Sequence, residues 1–212
     1  VITHKVTLVG QKEAQFFTPP GTGGFQPKPQ LPKDSSEIKK AQELLAQAGY
    51  PGGKGFPKLE LLYNTDEGHK KIAEALQQMW KQNLKIDVAL VNQEWKVLLD
   101  NQNLMNFQIL RGGWIADYND PTSFLDIFTT GNSNNHTGWS NPNFDQSMSS
   151  AAKEINPKKR NGYFQQAEDI LLEELPVVPI YIYTRLYLKK PNVAGWYSNL
   201  EDYRPFKGVY LK

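Results

Sequence analysis

The sequence contains no cysteine, which excludes disulfides, cysteine-ligated zinc and thiol catalysis. It leaves the compartment open, because cysteine-free chains occur on both sides of the cell membrane. No apolar run approaches the roughly 20 residues of a membrane-spanning helix. An excess of one charge is also missing. The 24 basic and 22 acidic residues give a net charge of +2, without the clustered basic surplus of nucleic-acid-binding proteins.

Common catalytic motifs are absent too. The chain has no Gly-x-Ser-x-Gly elbow, no His-Glu-x-x-His pair and no phosphate-binding glycine-rich loop. Glu67 and His69 could hold a metal only with further ligands, and none stands at a recognisable spacing. We therefore expect no enzyme, no metal and no cofactor, and a hydrolase is a remote alternative.

The first 33 residues have an unusual composition. They carry a short apolar run, Val6 to Val9, which predicts a strand. A proline- and glycine-rich stretch from Thr18 to Pro29 follows, where neither helix nor central strand can persist. This stretch is either a surface linker or a rigid segment that crosses between lobes. The chain opens without an initiator Met or a leader, so we expect an excised domain whose export signal lies outside it.

Helical and strand patterns then alternate along the chain. Asp34 or Ser35 offers an N-cap for a helix that Gly49 ends. Further helices are predicted from 69 onward and over 94–104, with strands over 58–63, 85–91 and 107–110. This order favours an α/β fold, with a mostly parallel sheet flanked by helices.

After Pro121 the pattern changes to mainly helical segments. We predict helices over 123–128, over 144–155 and from Pro157 onward, and an edge strand over 177–183 that contains Pro179. Asn134 and His136 lie in a polar loop and are interpreted as turn residues. The aromatic tail over 196–210 is expected to pack onto the scaffold or onto a missing neighbour.

The stretch from Arg111 to Pro121 is the strongest candidate for a binding site. In an open α/β sheet, ligands bind beyond the carboxyl ends of the strands, where Asn64 to His69 and this stretch both fall. Its Trp114 and Asp117 place an indole beside a carboxylate, which suits an ammonium group through cation–π contact and charge-assisted hydrogen bonds. Alternatively, Trp114 belongs to the core and Asp117 caps the helix near Pro121.

The most specific motif of the sequence is Trp-Ile-Ala-Asp-Tyr-Asn-Asp-Pro-Thr-Ser-Phe-Leu at 114–125. It is similar to the signature Trp-x-Ala-Asp-Tyr-x-x-Pro-x-x-Phe-Leu of the oligopeptide-binding proteins that serve ABC importers, solute-binding family 5. Several further segments resemble the same proteins in the same order. The resemblance covers nearly the whole chain. Its other segments are 17–25, 61–65, 69–71, 92–96, 133–135 and 178–183.

The resemblance implies a type II periplasmic-binding-protein lobe and a set of peptide-binding residues. Asp117 would pair with the α-ammonium of a peptide, and the backbone around Trp114 and Ile115 would add strand-like hydrogen bonds. Arg111 and His69 match positions near the carboxylate end of the peptide. The remaining matched positions line the cleft: Glu67, Trp95, Asn134 and Tyr183.

Two positions depart from the family pattern. Ile115 stands where well-known relatives carry Cys, which matters little if only the backbone is used. Gln102 stands where those relatives carry an Arg that binds a ligand carboxylate, so the preferred peptide length and any preference for murein peptides stay open. A metal chelate, haem or sugar is the alternative ligand class.

The family likeness also implies an organisation and partners. We expect a hinge or crossover segment over 1–33, a large ligand-binding lobe over 34–190 and a return segment over 191–212. The expected partners are short peptides, the membrane subunits of an ABC importer and a missing N-terminal lobe of the same protein. We expect a monomer in the periplasm, or one lipid-anchored on the outer face of the cell membrane, that binds no nucleic acid.

Overall fold

The structure, a computed structural model, describes residues 1–8, 10–29, 36–201 and 203–212, without the side chain of Ser36. The chain divides into two compact units. Unit 1 comprises Val1–Leu8 and Leu31–Gly113, and unit 2 comprises Val9–Gln30 and Trp114–Lys212. The predicted N-cap at Asp34 or Ser35 lies outside the described residues. In the described part of the chain, no helix is long and apolar enough to cross a membrane.

The helices and strands follow the predicted order over most of the chain. The helices are α1 (Ser36–Gln47), α2 (Glu67–Leu84), α3 (Trp95–Asn103), α4 (Thr122–Leu125), α5 (Pro142–Lys153) and α6 (Pro157–Glu174). The strands are β1 (Lys12–Glu13), β2 (Leu59–Asn64), β3 (Val88–Gln93), β4 (Ile109–Leu110), β5 (Tyr181–Ile182), β6 (Val193–Ala194) and β7 (Tyr210–Leu211).

Unit 1 is built on a parallel sheet with the strand order β3-β2-β4. Its buried cluster consists of Leu61, Tyr63, Ala73 and Val88, which β2, α2 and β3 contribute. Alternating apolar residues in the strands and a helical stripe in α2 produce this packing. The predicted α/β pattern with a mostly parallel sheet is therefore confirmed.

The predicted strand over residues 6–9 is wrong for the residues that the structure describes. Ile2–Thr7 form a π-helical turn, and Leu8 follows with a φ of 56°. Ile2 and Thr3 are buried, and the turn packs against α2. Short apolar runs are ambiguous between strand and helix, and burial against α2 decides for the helix here. Val9 lies outside the described residues.

Unit 2 has a helical core. Helices α5 and α6 pack against each other, and the buried cluster consists of Phe25, Leu125, Phe128, Phe144, Met148, Ala151, Phe164, Ala167 and Leu171. Phe25 comes from the proline- and glycine-rich stretch and is only 2% exposed. Its ring meets that of Phe164 edge-on at 5.9 Å. The surface-linker interpretation of this stretch is therefore wrong, because its aromatic side chain completes a core.

A buried carboxylate in α6 also holds this stretch. Glu168 is fully buried and accepts a hydrogen bond from the hydroxyl of Thr18 at 2.8 Å. The backbone N–H groups of Phe17 and Thr18 donate to the same carboxylate. Since a buried charge needs several donors, these bonds fix the stretch to α6.

The end of the chain is less regular than predicted. Of the strand expected over 177–183, only Tyr181–Ile182 pair, antiparallel with β1. Pro179 has no N–H to donate, which shortens the ladder as an edge position allows. In the tail, Tyr197 and Phe206 are 56% and 74% exposed, and the ring of Phe206 lies 6.1 Å from that of Trp196. Packing onto a neighbour stays a prediction.

Candidate ligand-binding site

The loop that precedes α4 is fixed by Ser123. The indole Nε1 of Trp114 donates to the carbonyl oxygen of Ser123 at 2.6 Å. The backbone N–H of Asp117 donates to the hydroxyl oxygen of Ser123 at 2.8 Å. Between them, Ala116 is only 3% exposed and anchors the loop in unit 2. Two of the predicted site residues of this loop, Trp114 and Asp117, are thus tied to one buried serine.

The carboxylate that accepts hydrogen bonds at the start of α4 belongs to Asp120 and not to Asp117. The carboxylate of Asp120 accepts from the backbone N–H of Thr122 at 3.1 Å and from its hydroxyl at 2.7 Å. Arg160 of α6 donates to both oxygens of the same carboxylate. Burial raises the pKa of Asp120, but the hydrogen bonds from Arg160 and Thr122 outweigh it and hold the pKa below its ordinary value. The interpretation of Asp117 as a helix cap is therefore wrong.

The groups of this loop that remain accessible are suited to a ligand. Asp117 is exposed, and its carboxylate has no hydrogen-bond or ion-pair partner within the described part of unit 2. The backbone N–H and C=O groups of Trp114, Ile115 and Ala116 also make no hydrogen bond there. Ile115 is 45% exposed, and Trp114 is half-buried. The loop therefore offers one carboxylate, an indole ring and a row of backbone donors and acceptors.

Unit 1 has a second set of polar residues, which lies at the carboxyl ends of its parallel strands. Asn64 ends β2, and its side-chain oxygen lies 2.8 Å from Nδ1 of His69. Asp66 caps α2 by accepting from the backbone N–H of His69 at 2.9 Å. Arg111 follows β4 and donates its backbone N–H to the carbonyl of Leu62 at 2.8 Å. These residues share the sheet edge at which open α/β proteins bind ligands.

The charges in this group influence one another. Burial lowers the pKa of His69 below its ordinary value, the positive charge of Arg111 lowers it further, and Asp66 opposes the shift. The hydrogen bond from the backbone of His69 is the main cause that lowers the pKa of Asp66. The predicted pair Arg111 and His69 is thus brought together in unit 1.

The other four predicted residues lie at the start of a helix, in a turn or just after a strand. Glu67 is exposed in the first turn of α2, and Trp95 is 55% exposed where α3 follows β3. Asn134 lies in a turn, as predicted, with its N–H donating to the side chain of Asn132 at 2.9 Å. Tyr183 is 45% exposed just after β5. In the described residues, no cluster of three or more His, Asp or Glu side chains could hold a metal ion.

The sequence analysis assigned no role to three residues that shape the site. Ser123 and Arg160 hold the loop of unit 2, and Asn64 orients His69 in unit 1. Arg160 lies 40 residues from its partner Asp120, and no local pattern signals such a contact. Asn64 could have been found, since an amide at the end of a strand and close to a His is a common partner for the ring.

A family comparison decides the class of protein. The model for the middle region of bacterial extracellular solute-binding proteins, family 5, matches residues 1–136. The chain belongs to this family. The murein peptide-binding protein MppA of Escherichia coli is 42% identical over 215 residues, which cover 100% of this chain and 40% of that protein.

Solved structures of family 5 proteins have the same fold. The structure of the E. coli murein tripeptide binding protein MppA matches with a TM-score of 0.90 and 42% identity, over 99% of this chain and 42% of that one. Haemophilus influenzae OppA in complex with RPPGFSPFR matches with a TM-score of 0.87 and 36% identity, over 100% of this chain and 42% of that one. The chain thus spans about two fifths of the length of these family 5 relatives.

Proposed function

We propose that the chain is the ligand-binding part of an extracytoplasmic peptide-binding protein of an ABC importer, and that it captures short peptides without catalysis. The observation that carries this proposal is the exposed Asp117 carboxylate on a loop that Ser123 fixes from behind. A rigid acceptor of this kind suits a cation that arrives from solvent, such as the α-ammonium of a peptide.

The chemistry of the loop supports recognition of a peptide main chain. Asp117 supplies charge-assisted hydrogen bonds to an ammonium group, and the ring of Trp114 adds cation–π attraction. The backbone groups of Trp114, Ile115 and Ala116, which have no partner in unit 2, can pair with a peptide as an added strand would. Backbone pairing does not depend on the side chains of the ligand, so it permits a broad range of peptides.

Arg111 and His69 are proposed to bind a carboxylate. Arg111 bears a permanent charge, and burial together with this charge keeps the imidazole of His69 neutral to lower pH. The Nδ1–H of the neutral imidazole donates to the side-chain oxygen of Asn64, so Nε2 can donate to an anion only when the ring is protonated, and Arg111 is the permanent donor of the pair. Glu67, Trp95, Asn134 and Tyr183 are proposed to line the cleft.

The relatives support the class of ligand and the location. One relative is named for murein peptides, and another was solved with the peptide RPPGFSPFR. We infer an extracytoplasmic protein, either periplasmic or lipid-anchored, that is a monomer. Its other partners would be the importer's membrane subunits and the remainder of its own chain. Closure over the peptide would select the state that the importer recognises.

Calorimetry with a tripeptide on the complete protein tests the role of Asp117. The Asp117→Ala variant should lose about 2 to 5 kcal/mol of binding free energy, the range for removing one partner of a charged hydrogen bond. Glu173→Ala, which removes an exposed carboxylate of α6, is the matched control and should bind as the wild type does. An unchanged affinity in the Asp117→Ala variant refutes the assignment.

A murein peptide is the second candidate ligand, because MppA is 42% identical to this chain and is named for such peptides. Gln102 replaces an Arg of well-known relatives, which removes one charge that could select a ligand carboxylate. Mass spectrometry of the ligand that co-purifies with the complete protein separates the candidates. A mixture of ordinary peptides supports the first and a murein peptide the second, whereas a sugar, haem or metal chelate overturns both.

A further inference from the structure

We propose that Ser123 is a positioning residue that sets the preference of this site for a peptide with a free, charged amino terminus. The inference rests on the proposed function, because it concerns how Asp117 is presented to that terminus. Ser123 lies in α4, behind the loop, and is only 4% exposed. We therefore expect it to act through Trp114 and Asp117, without touching the ligand.

Two separate atoms of Ser123 hold the side chain of Trp114 and the backbone of Asp117. The carbonyl oxygen accepts from the indole of Trp114, and the hydroxyl oxygen accepts from the N–H of Asp117. One residue thus sets the spacing between the ring of Trp114 and the backbone that carries the carboxylate of Asp117. A cation that is to touch both groups needs that spacing to be constant.

Ser123 is itself held in place by contacts at the start of α4. Asp120 accepts hydrogen bonds from the neighbouring Thr122 and is bound by Arg160 of α6. The neighbouring Phe124 and Leu125 are 4% and 0% exposed, so the helix is anchored in the core of unit 2. The hydroxyl therefore has a fixed location, which a flexible surface serine would not have.

The hydroxyl also changes which groups Asp117 offers to a ligand. The backbone N–H of Asp117 belongs to the same residue as the carboxylate, and it donates a hydrogen bond to the hydroxyl oxygen of Ser123. The carboxylate then remains as a pure acceptor beside an indole whose N–H is likewise engaged. Without the hydroxyl, the free N–H of Asp117 would offset part of the negative potential that attracts an ammonium group.

The test compares the affinities of the complete protein for one tripeptide with a free and with an N-acetylated amino terminus. The ratio of the two dissociation constants is the readout, because a general loss of stability lowers both affinities alike. Ser123→Ala should reduce the preference for the free terminus about fivefold, the effect of one hydrogen bond. Ser123→Thr keeps a hydroxyl and should retain a ratio close to that of the wild type.

Ser147→Ala is the matched control. Ser147 is a buried serine of α5, 7% exposed, and its hydroxyl donates to the carbonyl of Asn143 at 2.8 Å. The same atoms are removed at similar burial in the same unit. This variant should keep the wild-type ratio.

The outcomes separate this inference from the proposed function. A wild type that shows no preference for the free terminus refutes the role of Asp117 and with it that of Ser123. A wild-type preference that Ser123→Ala leaves unchanged overturns the positioning role alone. If the Ser123→Ala variant does not fold, amide hydrogen exchange on the wild-type protein decides. The N–H of Asp117 should exchange slowly, and fast exchange overturns the inference.

Discussion

Arg160 binds both carboxylate oxygens of Asp120, with donor–acceptor distances of 2.6 and 3.0 Å. The pair joins α6 to the start of α4. The side chains of Arg160 and Asp120 are 28% and 26% exposed. The guanidinium also stacks over the ring of Phe164 at 4.6 Å. These contacts support the start of α4, the helix that carries Ser123.

Replacing Arg160 should destabilise unit 2. Arg160→Leu leaves the partly buried Asp120 without its charged donor, and we expect a loss of about 1.5 to 3 kcal/mol in the free energy of unfolding. Urea unfolding, followed by circular dichroism, measures it. Glu43→Ala breaks the exposed pair with Lys39, at 3.9 Å, and should cost less than about 0.5 kcal/mol. Equal midpoints for the two variants would contradict this account of the loop.

Glu168 should make stability depend on pH. Burial raises its pKa to about 7 from an ordinary 4.5, against the opposing hydrogen bonds of Phe17 and Thr18. Between these two pH values the folded protein keeps a proton that the unfolded chain has released. Its contribution to stability is therefore complete below pH 4.5 and declines as the pH rises toward 7. The total change is roughly 3 kcal/mol at most.

Glu168→Gln should remove this decline, because the amide does not titrate. Urea unfolding compares the variant with the wild type. Midpoints are measured at pH 4.5, 5.5, 6.5 and 7.5, in steps of about one unit across the window. Glu173→Gln, an exposed change in the same helix, serves as the control and should keep the wild-type slope. If Glu168→Gln also keeps that slope, the carboxylate is ionised throughout, and burial is not the dominant influence on it.

His69 should titrate below its ordinary pKa. Burial and Arg111 lower the pKa of the imidazole, so its contribution to stability is present above pH 6.5 and is lost as the pH falls through the folded pKa. NMR titration of the ring protons gives this value directly. Arg111→Met should raise the pKa of His69, and Asp66→Asn should lower it. Lys39→Met, on the exposed face of α1, should leave it unchanged, and equal shifts in all three variants would refute the coupling.

The sheet of unit 1 could be predicted because its strands alternate apolar residues between helical patterns. The ends of the strands were less certain. The strand expected over 85–91 is found at Val88–Gln93, because Val88 pairs with Leu59 and this register decides where the strand begins. The apolar run from Val6 failed as a strand because packing against α2 determines its structure, and local composition does not contain that information.

The candidate site could be predicted in part. Asp117 and Trp114 could be named as candidates from their motif, since the carboxylate and the indole stand three residues apart in the sequence. The contacts that support this loop could not be named in the same way. Ser123 bonds Asp117 across six residues, and Arg160 bonds Asp120 across 40, so both depend on how α4 and α6 pack. Contacts of that kind follow from the fold, so they became visible only with the structure.

The central claim is that Asp117 captures the charged amino terminus of a peptide, and one measurement tests it most directly. Calorimetry on the complete wild-type protein compares a tripeptide with its N-acetylated form, which lacks the charge but keeps every side chain. We predict that acetylation weakens binding at least about 30-fold, which corresponds to about 2 kcal/mol, the lower limit for losing a buried charged partner. Equal affinities for the two peptides would contradict the account.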